Sequence, residues 1–405
     1  MQEKDPIPLE ELTASGAEWK DVHDKNASII RSVLAIVSLV ASSTLIWMLL
    51  RSKVRLSSTY HRLLIGMSIA DILYSLSLAH FNSMSPSDDD YMVWNARGNQ
   101  ATCSAQGFIL FMGAISGLLY SCSLNLYCLA VVRYQKSDRY IRTKMEPFLH
   151  GIPVACALVC TTTFLVKKNI NSDGEGICFI PVYEPPHCIG YEDGQIREGF
   201  EIPCGRGRDG AVLFAYLGFY LTLFSVPVIV GISLGMIYKS VLQQEENLGR
   251  YGVNAFTASA GQASADDNDV RARGSLTGRI RRLSMLSSST SNQERNKSRA
   301  VLHRAIAYSI AYFLAWSFLI MHISLIFAGI EWPTSLFYLT SIFNPLQGYY
   351  NFVIFIYPKV LSAKRSRRDN LTWCQAFAKV FRSRGVDNTR NRGQPNNRNM
   401  QGNNN

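Results

Sequence analysis

Apolar residues in this chain come in long uninterrupted blocks with polar segments between them. Seven blocks approach the roughly 20 residues that a helix needs to cross a bilayer. They are Ile29–Leu50, Leu63–Phe81, Gln106–Val132, Leu149–Val166, Ala211–Tyr238, Val301–Gly329 and Ser335–Tyr357. The pattern predicts an all-α membrane protein, a seven-transmembrane-helix bundle over 29–360. A polar segment, 1–28, precedes the bundle and a basic tail, 361–405, follows it. The connection 167–210, rich in Gly, Pro and acids, has the length of a functional or disordered loop. The connection at about 240–299 is expected to be disordered, from the Ala/Ser/Asp/Gly composition between Asn254 and Asp269. Residues 383–405 are low-complexity Asn, Arg and Gly and carry no expected fold.

Charge then sets the orientation. Only 18% of residues are charged against 47% hydrophobic, less charge than a soluble protein carries. The net charge of +11 would by itself suggest a nucleic-acid partner, but its distribution argues against that. The cations gather in alternate loops: Arg51, Lys53, Arg55 and Arg62; then Arg133, Lys136, Arg139, Arg142 and Lys144; then Arg271 to Arg304; then Lys359 to Arg368. The intervening faces are acidic, with Glu10, Glu11, Asp21 and Asp24 at the N-terminus and Asp88-Asp89-Asp90 after the second block. By the positive-inside rule the N-terminus lies outside and the tail in the cytosol. The tail's cations are then expected to meet anionic membrane lipid rather than nucleic acid. The first 28 residues are polar and show no cleavable signal peptide, so the first span is expected to act as its own insertion signal.

A few residues could carry chemistry. Asp71 is an ionisable residue deep inside a block, a costly placement that marks a functional candidate. A plain interhelical hydrogen bond is the alternative. Asn344-Pro345 interrupts the last block, and a proline inside a lipid-embedded helix frees a carbonyl that a neighbour must satisfy. Arg133-Tyr134 closes the third block, where the arginine could equally snorkel to lipid phosphates. Trp316 and His322 share the sixth block and are candidates for a ligand cavity; Trp316 could instead be a lipid-facing or core aromatic, and His322, on the outer side, could instead bond a neighbouring helix. Arg281-Arg282-Leu283-Ser284 offers Ser284 to a basophilic kinase. Leu371 to Phe381 has the spacing of an amphipathic helix on the inner leaflet, which would place Cys374 for acylation. Of nine cysteines, Cys122, Cys128, Cys156 and Cys160 lie within blocks, where they are expected to pack as small apolar residues. Cys103, Cys178, Cys188 and Cys204 are expected outside, where four cysteines permit three disulfide pairings.

Several of these stretches resemble G-protein-coupled receptors, most closely the cAMP-receptor-like branch known from slime moulds. The likeness is carried by Asn344-Pro-Leu-Gln-Gly-Tyr-Tyr-Asn351, by Gly66-Met-Ser-Ile-Ala-Asp71, by Asn125 through Arg133-Tyr134, and by Gly176-Ile-Cys-Phe-Ile180 paired with Cys103 at the head of the third helix. There are departures. Val132 stands where such receptors carry an acid beside the arginine. Trp316 lacks the proline that follows it in rhodopsin-like members. Thirty residues separate Cys103 from Arg133, roughly 45 Å of helix against a core of about 30 Å.

The resemblance implies a Cys103–Cys178 disulfide, which leaves Cys188–Cys204 to close a local lobe. It implies a sodium ion or water at Asp71, with Asn344, Asn351 or Asn125 as partners, and no other cofactor. It assigns Asp71, Arg133, Tyr134, Asn344 and Pro345 to activation and coupling. It gives a heterotrimeric G protein as partner, an unknown extracellular ligand, a plasma-membrane location and no enzymatic activity. The missing acid implies a weakly restrained Arg133, which Val132→Asp would restrain further. The alternative is a transporter or channel for a small solute, a class often built from internal repeats that are not evident here.

Overall fold

A computed structural model describes residues 15–52, 54–87, 93–180, 202–203, 205–208, 211–262, 274–330, 333–365 and 371–382; within 15–24, 211–212, 245, 247–262 and 274–298 only the backbone is described. The fold is a helical bundle. Helix α1 is Ser15–Arg51, α2 is Thr59–Leu78 and α3 is Gln100–Val132. Helix α4 runs Asp138–Val166 through a π turn at Ile141–Met145, and α5 combines Ala211–Ala215, a π turn at Tyr216–Tyr220, and Leu221–Gln262. Helices α6, α7, α8 and α9 are Gly274–Phe327, Thr334–Phe343, Gln347–Lys364 and Trp373–Arg382. Stretches of α1, α3, α4, α5 and α6 are long and apolar enough to cross a membrane. These five make the chain a multi-pass membrane protein.

Helix α3 is the central post. It packs against α2, α4, α5 and α6, while α1 closes the other side on α2 and α8. Its start is set locally. The Asn99 side chain accepts from the backbone N–H of Ala101 and Thr102, and the Thr102 hydroxyl accepts from Asn99 N–H, a reciprocal capping box. Gly113 lets α2 come close, because a Cβ there would sit 2.4 Å from the Tyr74 backbone nitrogen.

Helix continues past both ends of the expected inner connection, to Gln262 on one side and from Gly274 on the other. Leu, Gln, Glu and Arg favour helix even without packing, so the rods outrun the apolar blocks. Beyond α4 the chain makes a small antiparallel hairpin, β1 (Asn171–Ser172) with β2 (Cys178–Phe179). Its turn is tied by Asp173, whose carboxylate accepts from the N–H groups of Glu175 at 2.8 Å and Ile177 at 3.1 Å.

The tail helix α9 buries Ala376 against Ile356 and Val360 of α8. Trp373 and Phe377 stay exposed, and Phe381 stacks 5.1 Å from Trp47 of α1. Cys374 lies on an exposed side of this helix. Among the cysteines inside the blocks, Cys122 and Cys128 are buried and Cys160 partly so. Cys156 is exposed instead, because it lies on the outward face of α4.

Candidate functional site

The residues around the Asn344-Pro345 break form a buried polar network that reaches three other helices. Pro345 has no N–H to donate to the carbonyl of Ser341, so helix stops at Phe343 and restarts at Gln347. Asn344 sits in the gap. It accepts a hydrogen bond from the Tyr74 hydroxyl of α2 and donates to the Ala315 carbonyl of α6 at 3.3 Å. One turn on, Gln347 accepts from Trp316 Nε1 of α6 at 2.8 Å. Gly348 N–H donates to Ser38 Oγ of α1 at 3.0 Å. Asn351 Nδ2 donates to Asp71 Oδ2 at 2.8 Å. The four positions 344, 347, 348 and 351 thus hold α1, α2 and α6.

This network is buried and tightly built. Asp71 is 3% exposed, and Asn344, Gln347 and Asn351 are also buried. Buried polar groups must be paired or they cost free energy, and here the pairs cross between helices. Gly348 is required by proximity: a Cβ there would lie 2.1 Å from Ser42 Oγ, 2.7 Å from Ser38 Oγ and 3.2 Å from Asp71 Cβ. Among the described residues the hydroxyls of Ser42 and Ser68 are buried and have no hydrogen-bond partner. Ser68 is one turn before Asp71 on the same helix face. Ser42 Oγ and Asp71 both border Gly348, and hydroxyl and carboxylate oxygens are the kind of donors a small cation or a water would take.

The structure therefore selects Asn351 as the partner of Asp71. Asn125 lies elsewhere, accepting from Ser309 Oγ of α6 at 3.2 Å. Trp316 is a core residue, packed 5.7 Å from the Tyr74 ring. Its link to Gln347 was invisible in sequence, where the missing proline drew attention away from it. His322 is buried farther along α6. Ser284 lies on the helical backbone of α6. Cys188 and Cys204 lie outside the described residues.

Arg133 and Tyr134 do not join the network. They stand exposed at the end of α3, the guanidinium 5.9 Å from the Tyr134 ring centre. Among the described residues Arg133 makes no ion pair. Val132 is 1% exposed and packs with Cys128, Leu129, Ile237, Val241, Leu302 and Ala305. Its carbonyl accepts from Gln244 Nε2 of α5 at 3.1 Å. This corrects the expectation for Val132→Asp. The new carboxylate would be buried in an apolar collar rather than set beside the arginine, so the change would destabilise the bundle instead of adding a restraint.

Two clusters toward the Arg133 end of the bundle have no local signature in the sequence. In one, Arg62 of α2 forms an ion pair with Glu146 of α4, its Nη2 donating to Oε2 at 2.6 Å, while Thr59 Oγ1 donates to the same oxygen at 3.0 Å. His150 Nε2 lies 3.8 Å from Glu146, and its Nδ1 is 3.1 Å from the Tyr120 hydroxyl of α3. In the other, the Tyr60 and Tyr308 hydroxyls of α2 and α6 meet at 3.1 Å. Both pairs are separated by more than 80 residues, so no local pattern reveals them. The acid of Glu146 amid inner-loop cations was the one available signal.

At the opposite end of the bundle Cys103 and Cys178 form a disulfide, joining α3 to β2. Gln106 reinforces it, accepting from Cys178 N–H at 2.8 Å and donating to the Ser77 carbonyl at 3.0 Å. Phe179 of β2 packs on Phe111 of α3 and Phe219 of α5, with ring centres 5.1 and 5.5 Å away. Arg31 of α1 donates to Asn82 Oδ1 at 2.9 Å and to the Glu175 carbonyl at 3.2 Å, clamping the hairpin turn. The sequence matches no protein-family model and no curated protein.

Proposed function

We propose that the chain is a seven-span receptor of the plasma membrane that passes an extracellular signal to a heterotrimeric G protein. The observation that carries this reading is the wiring of the Asn344-Pro345 break to α1, α2 and α6. A broken helix held by several cross-helix hydrogen bonds is an element with two discrete arrangements available to it, and a ligand acts by favouring one of them. In this reading α2 and the α7–α8 pair are the two spans beyond the five apolar ones. Helix α7 is apolar but only 10 residues long, because the Asn344-Pro345 break divides this span, and α2 carries the polar residues Ser68 and Asp71. The loop charges put the N-terminus outside.

The ligand acts at the outer end, among α3, α5, α6 and α7. A shift there rearranges the contacts of Trp316 and Asn344, and the inner ends of α5 and α6 separate from α3 to admit the G protein. Arg133, exposed and without an ion pair among the described residues, is available to that partner. A sodium ion or water at Asp71, bonded also by Ser42 and Ser68, favours the resting packing. The test is guanine-nucleotide exchange on G proteins in membranes bearing the chain, with and without extract fractions. Ligand-dependent exchange that Arg133→Ala weakens, with ligand binding intact, supports the reading. Solute uptake with unchanged exchange identifies a transporter instead.

A further inference from the structure

The receptor reading leaves open what holds the inner end of α6 at rest. The arginine at the end of α3 does not: Arg133 is exposed, its neighbour Val132 is apolar and buried, and no acid faces it among the described residues. A different contact occupies that place. Tyr60, near the start of α2, and Tyr308, on the inner part of α6, bring their hydroxyls to 3.1 Å. Tyr308 is 5% exposed, so its hydroxyl has little water to fall back on. Arg304, one turn from Tyr308, lays its guanidinium 5.2 Å from the centre of the Tyr60 ring. Tyr127 of α3 flanks Tyr60 with ring centres 6.3 Å apart. One α2 side chain therefore receives two contacts from successive turns of α6, and α3 supports it.

We infer that Tyr60, Tyr308 and Arg304 form the resting latch between α2 and α6, a regulatory contact that must open for the inner cleft to form. The inference rests on the receptor reading for its consequence but not for its geometry. Helix α2 is a firm anchor, because Arg62 ties it to Glu146 of α4 only two residues beyond Tyr60. Helix α6 is the side taken to move: its other neighbours at this level are the apolar residues Val132, Ile237 and Val241, with a single long hydrogen bond to α3 a turn away, from Ser309 Oγ to Asn125 Oδ1 at 3.2 Å. A hydrogen bond between phenols and a cation over a ring are each worth about 1 kcal/mol. That is enough to bias a two-state equilibrium and small enough to be overcome by a ligand.

The test uses the full chain in lipid discs with Tyr60→Phe, Tyr308→Phe, both together, and Arg304→Gln. Each phenylalanine keeps the ring and removes only the hydroxyl, so the bundle still folds. Spin labels at Ser57→Cys and Ala300→Cys, with the exposed Cys156 and Cys374 changed to Ser, report the α2–α6 distance. Basal nucleotide exchange is measured on the same variants without labels. The latch predicts that either phenylalanine variant shifts the distance distribution to longer values and raises basal exchange about fivefold, the effect of one hydrogen bond. The double variant should equal either single one, and Arg304→Gln should act in the same direction. An unchanged distance in Tyr308→Phe overturns the latch, whatever the exchange shows. A lengthened distance with no exchange by any variant or by the parent keeps the latch and overturns the receptor reading.

Discussion

The two ends of this bundle are held by different kinds of contact. At the hairpin end a covalent bond, Cys103–Cys178, fixes the hairpin to α3, and Gln106, Arg31 and the Phe111–Phe179–Phe219 cluster surround it. At the opposite end α2 and α4 share an ion pair, α5 and α6 meet α3 through an apolar collar and two single hydrogen bonds, and α6 reaches α2 through a pair of phenols. The middle layer, where Asp71 and the Asn344-Pro345 break meet, connects the two. The contrast bears on where motion costs least. The hairpin end cannot separate from α3 without losing a covalent bond, whereas the opposite end is held by small, reversible contacts.

The largest expected effect comes from cutting the outer tie. The disulfide closes a loop of 75 residues, worth about 4 kcal/mol by chain entropy. Cys103→Ser or Cys178→Ser should each sharply reduce folded protein at the cell surface, and the double change should be no worse than either alone. Additive losses in surface labelling would mean that the two cysteines act separately.

The next effect falls on the middle layer. Gly348→Ala places a methyl group into the space of Ser42 Oγ, an overpacking that costs about 1–3 kcal/mol. Thermal unfolding in lipid discs should show a lowered midpoint, partly restored by Ser42→Ala. No restoration would place the strain elsewhere. Asp71→Asn should change stability less, because an amide can still accept from Asn351, but it should abolish any sodium dependence of unfolding. Persisting sodium dependence would move the ion away from Asp71.

The smallest effect is a pH dependence confined to the outer hairpin. Burial pushes the Asp173 carboxyl up to about 6. A raised carboxyl pKa means that the folded hairpin holds this proton more tightly than the unfolded chain. Its contribution is therefore full below about pH 4 and is lost as pH rises through about 6. Asp173→Asn should flatten the dependence of unfolding on pH between 4 and 7. An identical slope in the variant would assign it to another group.

Much of this architecture was legible in the block pattern, because a bilayer imposes one length and one composition on whatever crosses it. Asp71 and Asn344-Pro345 stood out for the same reason, as polar or helix-breaking residues in apolar surroundings. What the sequence hid were partners distant along the chain. Nothing local joins Trp316 to Gln347, or Arg62 to Glu146, and Arg62 was absorbed into the charge pattern that gives orientation. Val132 was misjudged as a neighbour of the arginine because adjacency in sequence is not adjacency in space: successive helix residues point about 100° apart, one into the collar and the next to solvent.

In the proposed receptor the ends of α5 and α6 near Arg133 move while the hairpin end stays tied. Backbone hydrogen exchange of the chain in lipid discs, with and without nucleotide-free G protein, tests it most directly. The prediction is altered exchange at 232–244 of α5 and 299–308 of α6, with no change at 100–107 of α3 or at the hairpin 171–180. Unaltered inner segments, or changes concentrated at the outer hairpin, would contradict it.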